Sequence, residues 1–307
     1  MIRGQDQTLT AAGAILIYAL LIAYADNYVR VIAAEAGLWQ FHATRSGLAI
    51  VLIAVWARLT GRRLRPVSPV AVVMRSAIHG VAMVIYFGCL AFLPVAQVAA
   101  GLFTAPIFVL LISRFAYGQH IGPVRISAVA IGFVGVVLVL GPTAMDGATW
   151  AALLPIFAGA LYAMGNVATR EWCAKETAET LLTGFFAALG LFGALGLAGL
   201  AVFSVPVSDG AAGFIQRGWV QPSALFLFWV TVQAVISVIG VGLMIKAYQI
   251  AEASRVSVFE YIILPASAFW GWLLWSEVPS MQGVLGMSLI TVAGAAIAIR
   301  SRQSAPA

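Results

Sequence analysis

The sequence predicts an all-α integral membrane protein, and three observations lead to this class. The mean hydropathy is +1.00. Only 9% of the residues are charged, whereas a soluble protein carries about a quarter. The chain also contains ten apolar runs, each close to the roughly 20 residues that a helix needs to cross the hydrocarbon core. A transmembrane β-barrel would show short segments of alternating polarity instead.

The ten predicted spans are joined mostly by short connections. They cover residues 11–33, 38–59, 70–91, 95–115, 123–140, 149–170, 178–203, 223–250, 255–275 and 280–299. Lys and Arg collect on one side of this arrangement, most densely in GRRLRP at 61–66, and only Arg30 and Arg217 fall opposite. By the positive-inside rule, both termini are expected in the cytoplasm, and a bacterial inner membrane is the expected location.

Composition also argues against other classes of protein. The net charge is +6, but the basic residues are spread along the spans and form no single face for a nucleic acid. We expect Cys89 and Cys173 to be free thiols. Two cysteines and three scattered histidines show no metal-ligand spacing, so neither a metal nor an organic cofactor is expected.

An internal repeat organises the chain into two halves. Residues 95–119 align with 253–277, and the glycine-rich run 132–141 aligns with 290–299. We therefore predict one five-helix repeat over 1–145 and a second over 146–307. Because five is odd, the second repeat crosses the membrane in the opposite sense, as in transporters that bind their cargo where inverted repeats meet.

Polar side chains inside the spans are candidates for function, since a charged group there costs about 3 kcal/mol to insert. His42 and Arg45 share a face of the second span. Arg45 either pairs with Asp26, binds a backbone carbonyl or contacts the cargo. In the third span, Arg75 is expected to reach the cytoplasmic interface. His79 lies deeper and either bonds a neighbouring helix or lines a cavity.

The ninth span contains FEYIILP, in which Glu260 precedes Pro265 by five residues. Pro106 occupies nearly the same place in the fourth span, and a proline there removes a backbone donor and kinks the helix. Glu260 either faces a cavity or pairs with Lys246. Deep aromatic residues beside the polar ones suit a flat ligand with a polar head.

These considerations give two groups of candidate residues. Those expected to contact substrate are Asn27, His79, Tyr86, Phe103, Tyr162, Asn166, Glu260 and Tyr261. Those expected to be structural or to act in gating are Asp26, His42, Arg45, Pro106 and Pro265.

The chain resembles EamA-type members of the drug/metabolite transporter superfamily. The resemblance lies in YADNYVR at 24–30, in FHATRSG at 41–47 and in the stretch 247–277, which contains AYQIAEASRVSVFEY and GWLLWSE. It implies ten spans in two inverted five-helix repeats. Family members typically end the fourth helix with a glycine and an acidic residue, whereas YGQH stands at 117–120. FHATRS, His79 and FEY look most like the aromatic amino acid exporters, which are also linked to methyl viologen efflux.

The leading hypothesis is an inner-membrane exporter or facilitator of aromatic amino acids and related amphipathic metabolites, working by alternating access as a monomer or weak homodimer. It has no covalent chemistry to perform, so we expect no enzyme. A second hypothesis changes the cargo to cationic drugs, polyamines or nucleotide sugars. A third is an intramembrane enzyme that uses Ser76 and His79, but no hydrolase motif accompanies this pair.

Overall fold

The computed structural model describes residues 7–89, 93, 95–141, 151, 153–203, 205–209 and 213–303. Its regular elements are all helices, as predicted, and these residues form no strand. The helices are α1 (Thr8–Asn27), α2 (Val29–Glu35), α3 (Leu38–Leu59), α4 (Pro69–Cys89), α5 (Val95–Leu102), α6 (Ala105–Phe115), α7 (Pro123–Leu140), α8 (Leu153–Glu171), α9 (Ala178–Val202), α10 (Gly213–Gln216), α11 (Ala224–Ile250), α12 (Ala253–Phe259), α13 (Ile263–Trp275) and α14 (Met281–Gln303).

Nine helical stretches within the described residues are long and apolar enough to cross a membrane. The stretches that combine two helices are α1 with α2, α5 with α6, and α12 with α13. Helix α8, which overlaps the predicted span 149–170, is not among the nine. It carries Asn166, Thr169, Arg170 and Glu171 near its end, and it packs against α4, α5, α6 and α11. The count of ten spans therefore stays a prediction.

Two of these stretches are broken in the middle, and both breaks precede a proline. Phe103 and Thr104 separate α5 from α6, and Pro106 is the second residue of α6. A 3-10 turn over Glu260–Ile262 separates α12 from α13, whose third residue is Pro265. A proline has no N–H to donate to the preceding turn, so the regular helix stops just before it.

Helix neighbours recur in a regular pattern. Helix α4 packs on α8 and α9, while α11 packs on α1 and α3. Helix α6 packs on α8, while α13 packs on α1. Helices α3 and α9 pair directly, as do α7 and α14. The last pair is close because a Cβ on Gly135 would lie 2.7 Å from the Gly286 carbonyl oxygen, which only a glycine avoids.

The bundle has two ends that differ in structure. One end holds Thr8, Leu59, Pro69 and Ala253, and we call it the closed end for the contacts described below. The other holds Glu35, Leu38, Cys89 and Trp275, and we call it the open end. From the distribution of basic residues, the closed end is the predicted cytoplasmic one.

Candidate functional site

A cavity of about 670 Å³ lies between the helices. It reaches the surface at the open end beside Arg30, Ala33 and Phe214, and it extends inward to Arg75 and Met244. Its lining comes from both parts of the chain, including α1, α3, α4 and α6 before residue 145 and α8, α9, α11 and α13 after it. Its position and size are those of a small-molecule site.

Aromatic rings form much of the cavity wall. They are Tyr18, Tyr86, Phe87, Phe103, Tyr162, Phe185, Phe186 and Phe214. Polar side chains interrupt this surface, namely Asp26, Asn27, Arg30, Arg45, Arg75, His79, Ser237, Glu260 and Ser267. Broad apolar rings with a few converging polar groups favour a ligand that has a flat aromatic part and a polar part.

Asp26 and Arg45 lie in the outer part of the cavity. The Asp26 side chain is exposed there, and the described residues provide it with no hydrogen bond or ion pair. The Arg45 guanidinium lies 4.7 Å from the centre of the Phe41 ring, and its Nη2 is 3.4 Å from His42 Nδ1. Neither contact considered for Arg45, the direct pair with Asp26 or a backbone carbonyl, is present among these residues.

His42 lies behind Arg45 and does not reach the cavity. It is fully buried, and its ring meets the Phe87 ring edge-on at 5.2 Å. The shared helical face correctly predicted that His42 and Arg45 are neighbours, and the structure makes His42 a packing partner of Arg45.

A hydrogen-bonded chain runs along the wall of the inner cavity and joins the two halves of the protein. His79 Nε2 of α4 lies 3.0 Å from Asn166 Oδ1 of α8. Asn166 Nδ2 donates to Glu260 Oε1 in the 3-10 turn at 3.3 Å. Because the Asn166 oxygen can only accept, His79 Nε2 carries the proton. Asn166 therefore holds His79 and Glu260 from behind, while these two line the cavity.

Gly165 makes the position of His79 possible. A Cβ at this glycine would collide with the imidazole ring, because His79 lies directly against the α8 backbone. Tyr162 and Phe185 hold the other sides of the ring, with centroids 5.4 and 6.1 Å away. His79 is thus fixed in one orientation.

Arg75 differs from its prediction. It does not reach the interface, since only 1% of its surface is exposed and it borders the inner cavity. Its Nε donates to Thr169 Oγ1 at 2.9 Å, and its Nη1 donates to the Leu181 carbonyl oxygen at 3.3 Å. Its place on the His79 face, four residues earlier, was the sequence signal that could have identified it.

The prediction for Tyr261 also needs correction. Tyr261 is fully buried against Gly132, Val136 and Ile290 and is absent from the cavity lining, with its ring 6.4 Å from that of Phe103, which does line the cavity. Pro106 and Pro265, which were expected to act on their helices and not on cargo, both follow helix breaks, and of the two only Pro106 lines the cavity. Glu260 does not pair with Lys246, since the Lys246 side chain is exposed.

The enzyme hypothesis also finds no geometric support. Ser76 Oγ is buried with no hydrogen-bond partner and faces Gly184. The groups bonded to His79 do not include Ser76. A serine nucleophile needs its base within hydrogen-bond reach, so this pair is not arranged for such chemistry.

Polar contacts between helices seal the closed end. Glu252 pairs with Arg125 at 2.5 Å and with Arg255 at 3.4 Å. Arg170 Nη1 donates to the carbonyl oxygens of Gln249 and Ala251 at 3.2 and 2.7 Å. The last carbonyls of α11 have no partner within the helix, so Arg170 satisfies them and ties α8 to α11.

Glu176 forms the second part of this seal. Its carboxylate accepts the backbone N–H groups of Val67 and Ser68 at 3.0 and 2.6 Å, just before α4 begins. Gln249 donates to the Glu176 carbonyl oxygen at 2.8 Å. Cys173 is fully buried in the same loop. Burial raises the pKa of the Cys173 thiol, Arg75 opposes this shift, and Glu176 adds to it.

The comparisons with known proteins agree with this architecture. The model of the EamA-like transporter family matches residues 9–141. A riboflavin transporter of Rhizobium johnstonii is 28% identical over 84% of this chain and 78% of its own length. A pseudopaline exporter of Pseudomonas aeruginosa is 25% identical over 81% of this chain and 82% of its own. A solved crystal structure with 18% identity has the same fold, with a TM-score of 0.73 over 97% of this chain and all of that one.

These relatives are bacterial transporters, which is consistent with an inner membrane location and with a protein that is no enzyme. Their names do not include an aromatic amino acid exporter, so the resemblance to that subgroup stays a prediction. Together with the apolar helices, the matches support one statement: this chain is a multi-pass membrane protein whose residues 9–141 match the EamA-like transporter family and which is similar over most of its length to bacterial transporters.

Proposed function

We propose that this protein moves an amphipathic aromatic metabolite across the membrane, with aromatic amino acids as the first candidate cargo. The observation that carries the proposal is the cavity itself, whose apolar wall contains several aromatic rings and whose polar groups include both acids and guanidinium groups. The rings would hold the flat part of the cargo, and the charged side chains would hold its ammonium and carboxylate groups.

Within this proposal, the candidate residues take different roles. Those that line the cavity and would contact cargo are Asn27, His79, Tyr86, Phe103, Tyr162 and Glu260. Asn166 would act through the two side chains that it holds. Tyr261 would stabilise the 3-10 turn by its packing.

The proposal includes alternating access between two inverted repeats, 1–145 and 146–307. Two observations support it. The neighbour relations of α4 with α8 and α9 have counterparts in those of α11 with α1 and α3. The cavity is accessible at one end and sealed at the other by Glu252, Arg170 and Glu176. In the opposite state, the seal would open and the outer part of the cavity would close.

A flavin is the second candidate cargo. A riboflavin transporter is among the relatives, and the cavity of about 670 Å³ lies in the middle of the range of roughly 300–1,000 Å³ that holds drug-sized ligands. A ring system larger than indole would still meet aromatic side chains on several sides.

The test uses proteoliposomes with labelled phenylalanine, tryptophan and riboflavin, measured with and without a pH gradient. We expect the wild-type protein to raise the flux of at least one of them. His79→Ala and Tyr86→Ala should each lower that flux by about tenfold, which corresponds to roughly 1.4 kcal/mol of lost contact energy. A flux that responds to the gradient would indicate proton coupling, and an unchanged flux would indicate facilitated diffusion.

The matched controls are His120→Ala and Phe115→Ala, since both side chains are exposed at the closed end. Wild-type flux no higher than that of empty liposomes for all three compounds would refute the proposed cargo class. Normal flux in folded His79→Ala and Tyr86→Ala proteins would remove these two residues from the pathway.

A further inference from the structure

Arg75 is a buried cation whose interactions are only partly satisfied by the protein. Its Nε and Nη1 nitrogens donate to Thr169 and Leu181, but its Nη2 nitrogen has no hydrogen-bond partner among the described residues. The side chain borders the inner cavity and is 1% exposed. One edge of the guanidinium group is therefore fixed by two neighbouring helices, and the remaining nitrogen is left beside the cavity.

The charge of Arg75 has no acidic partner. No described carboxylate lies within ion-pair distance of it, whereas Arg30, Arg62 and Arg125 each pair with a glutamate. Arg45 is the other buried guanidinium in the cavity, and it lies in the outer part with Asp26. An isolated charge in the membrane interior is costly, so such a group is normally retained for a partner that arrives during function.

From this geometry, we propose that Arg75 binds the anionic group of the cargo at the inner end of the cavity. The inference rests on the proposed function and adds to it the orientation of the cargo, with the anion innermost and the ring against the aromatic wall. A guanidinium group presents paired donors that match carboxylate or phosphate oxygens. The bonds to Thr169 and Leu181 hold these donors in place before cargo arrives.

Glu260 gives the inner cavity its opposite charge. It stands at the far side of the His79 and Asn166 pair, while Arg75 lies one helical turn from His79 on α4. An anionic group on the cargo would give the Arg75 guanidinium a partner, whereas a purely cationic cargo would leave it without one.

Small probes can test this site without knowledge of the natural cargo. The unfolding temperature of the purified protein is measured at increasing concentrations of benzoate, phenylphosphonate or benzamide. Benzamide has the shape of benzoate without its charge, and the phosphonate distinguishes a phosphate site from a carboxylate site. We expect at least one of the two anions to stabilise the wild-type protein at lower concentration than benzamide does.

Three variants then assign the preference to Arg75. In Arg75→Gln, the apparent Kd of the preferred anion should rise by about tenfold to a hundredfold, as expected for the loss of a charged hydrogen-bond donor, while that of benzamide stays constant. Arg75→Lys keeps the charge and should retain part of the preference. Arg114→Gln removes an exposed arginine at the closed end and should behave as the wild type.

Each outcome either supports or overturns the assignment of anion binding to Arg75. An anion preference that survives in Arg75→Gln, or equal losses for benzoate and benzamide, would overturn the assignment and leave Arg75 a structural role. If both Arg75 variants fail to fold, the wild-type protein decides, because equal binding of anions and benzamide would also overturn it. If anions bind through Arg75 but phenylalanine, tryptophan and riboflavin are not transported, the site stands and the proposed cargo class fails.

Discussion

The two ends of this bundle use polar residues in opposite ways. At the open end, Asp26 faces the cavity with no direct partner among the described residues, and these hold Arg45 through an aromatic ring and a histidine. At the closed end, charged groups are joined across helices, as in the contacts of Glu252 with Arg125 and of Glu176 with the start of α4. Charges without partners are available to cargo, whereas paired charges hold helices together.

The contacts that seal the closed end are weak enough for a transporter to break them in each cycle. Glu252 and its two arginines are partly exposed, between 17% and 34%, and partly exposed ion pairs contribute only up to about 1 kcal/mol each. Cargo binding can supply free energy of that size, so the seal can break without unfolding the bundle. The rigid chain of His79, Asn166 and Glu260 lies between the ends and connects both halves.

Of the changes considered, Gly165→Ala should reduce transport the most, because Gly165 packs against His79 in the region between the two ends. The new methyl group would displace the His79 ring and break its bond to Asn166. We expect transport to fall by more than about tenfold and stability to drop by about 1–3 kcal/mol, the usual cost of overpacking. Flux and thermal unfolding of the purified protein measure the two effects.

The matched control for this change is Gly47→Ala, since a Cβ at Gly47 would meet nothing within 4 Å. It should leave both measurements unchanged. Equal behaviour of the two alanine variants would mean that His79 is not held tightly against α8.

Glu176→Gln weakens the closed end at the start of α4. The glutamine keeps one acceptor oxygen but loses the charge that accepts the Val67 and Ser68 N–H groups. We expect a loss of about 1–2 kcal/mol in the free energy of unfolding, similar to the loss of a helix cap. Glu179→Gln is the control, since its partner Arg62 is 57% exposed, and a larger loss there would contradict the prediction.

Glu252→Gln tests the seal by removing its ion pairs with Arg125 and Arg255. A single cysteine at buried Ser257 in a Cys-free protein reports opening through its rate of maleimide labelling. We expect this rate to rise about fivefold, as a change of roughly 1 kcal/mol implies. Arg30→Gln breaks an ion pair at the open end and should leave the rate unchanged. The same rise in both variants would argue against a seal local to the closed end.

The smallest expected effect is the labelling of the Cys173 thiol by maleimide in the native protein. Its thiol is buried, and burial raises its pKa, so the reactive thiolate is scarcer at neutral pH than in an exposed cysteine. We expect maleimide to label Cys173 in the folded protein much more slowly than it labels an exposed cysteine. Mass spectrometry of the labelled peptide checks this, and rapid labelling of the folded protein would show that the closed end opens often.

Local sequence patterns were sufficient for the helices and their breaks. The runs 38–59 and 123–140 coincide with Leu38–Leu59 and Pro123–Leu140, because hydrophobic length and flanking glycine and proline act over a few residues. Pro106 and Pro265 likewise predicted breaks in the fourth and ninth spans, since a missing N–H affects only the preceding turn.

By itself, the sequence determined a helical membrane protein, the bounds of most of its helices, and a short group of polar and aromatic side chains, of which most line one cavity. Only the tertiary structure decided which of these side chains face that cavity. It turned Tyr261 away, buried His42, and brought Arg75 and Tyr18 into the lining. The physical reason is that the rotation of each helix about its axis depends on the neighbours it packs against, and no pattern within a single helix contains that information.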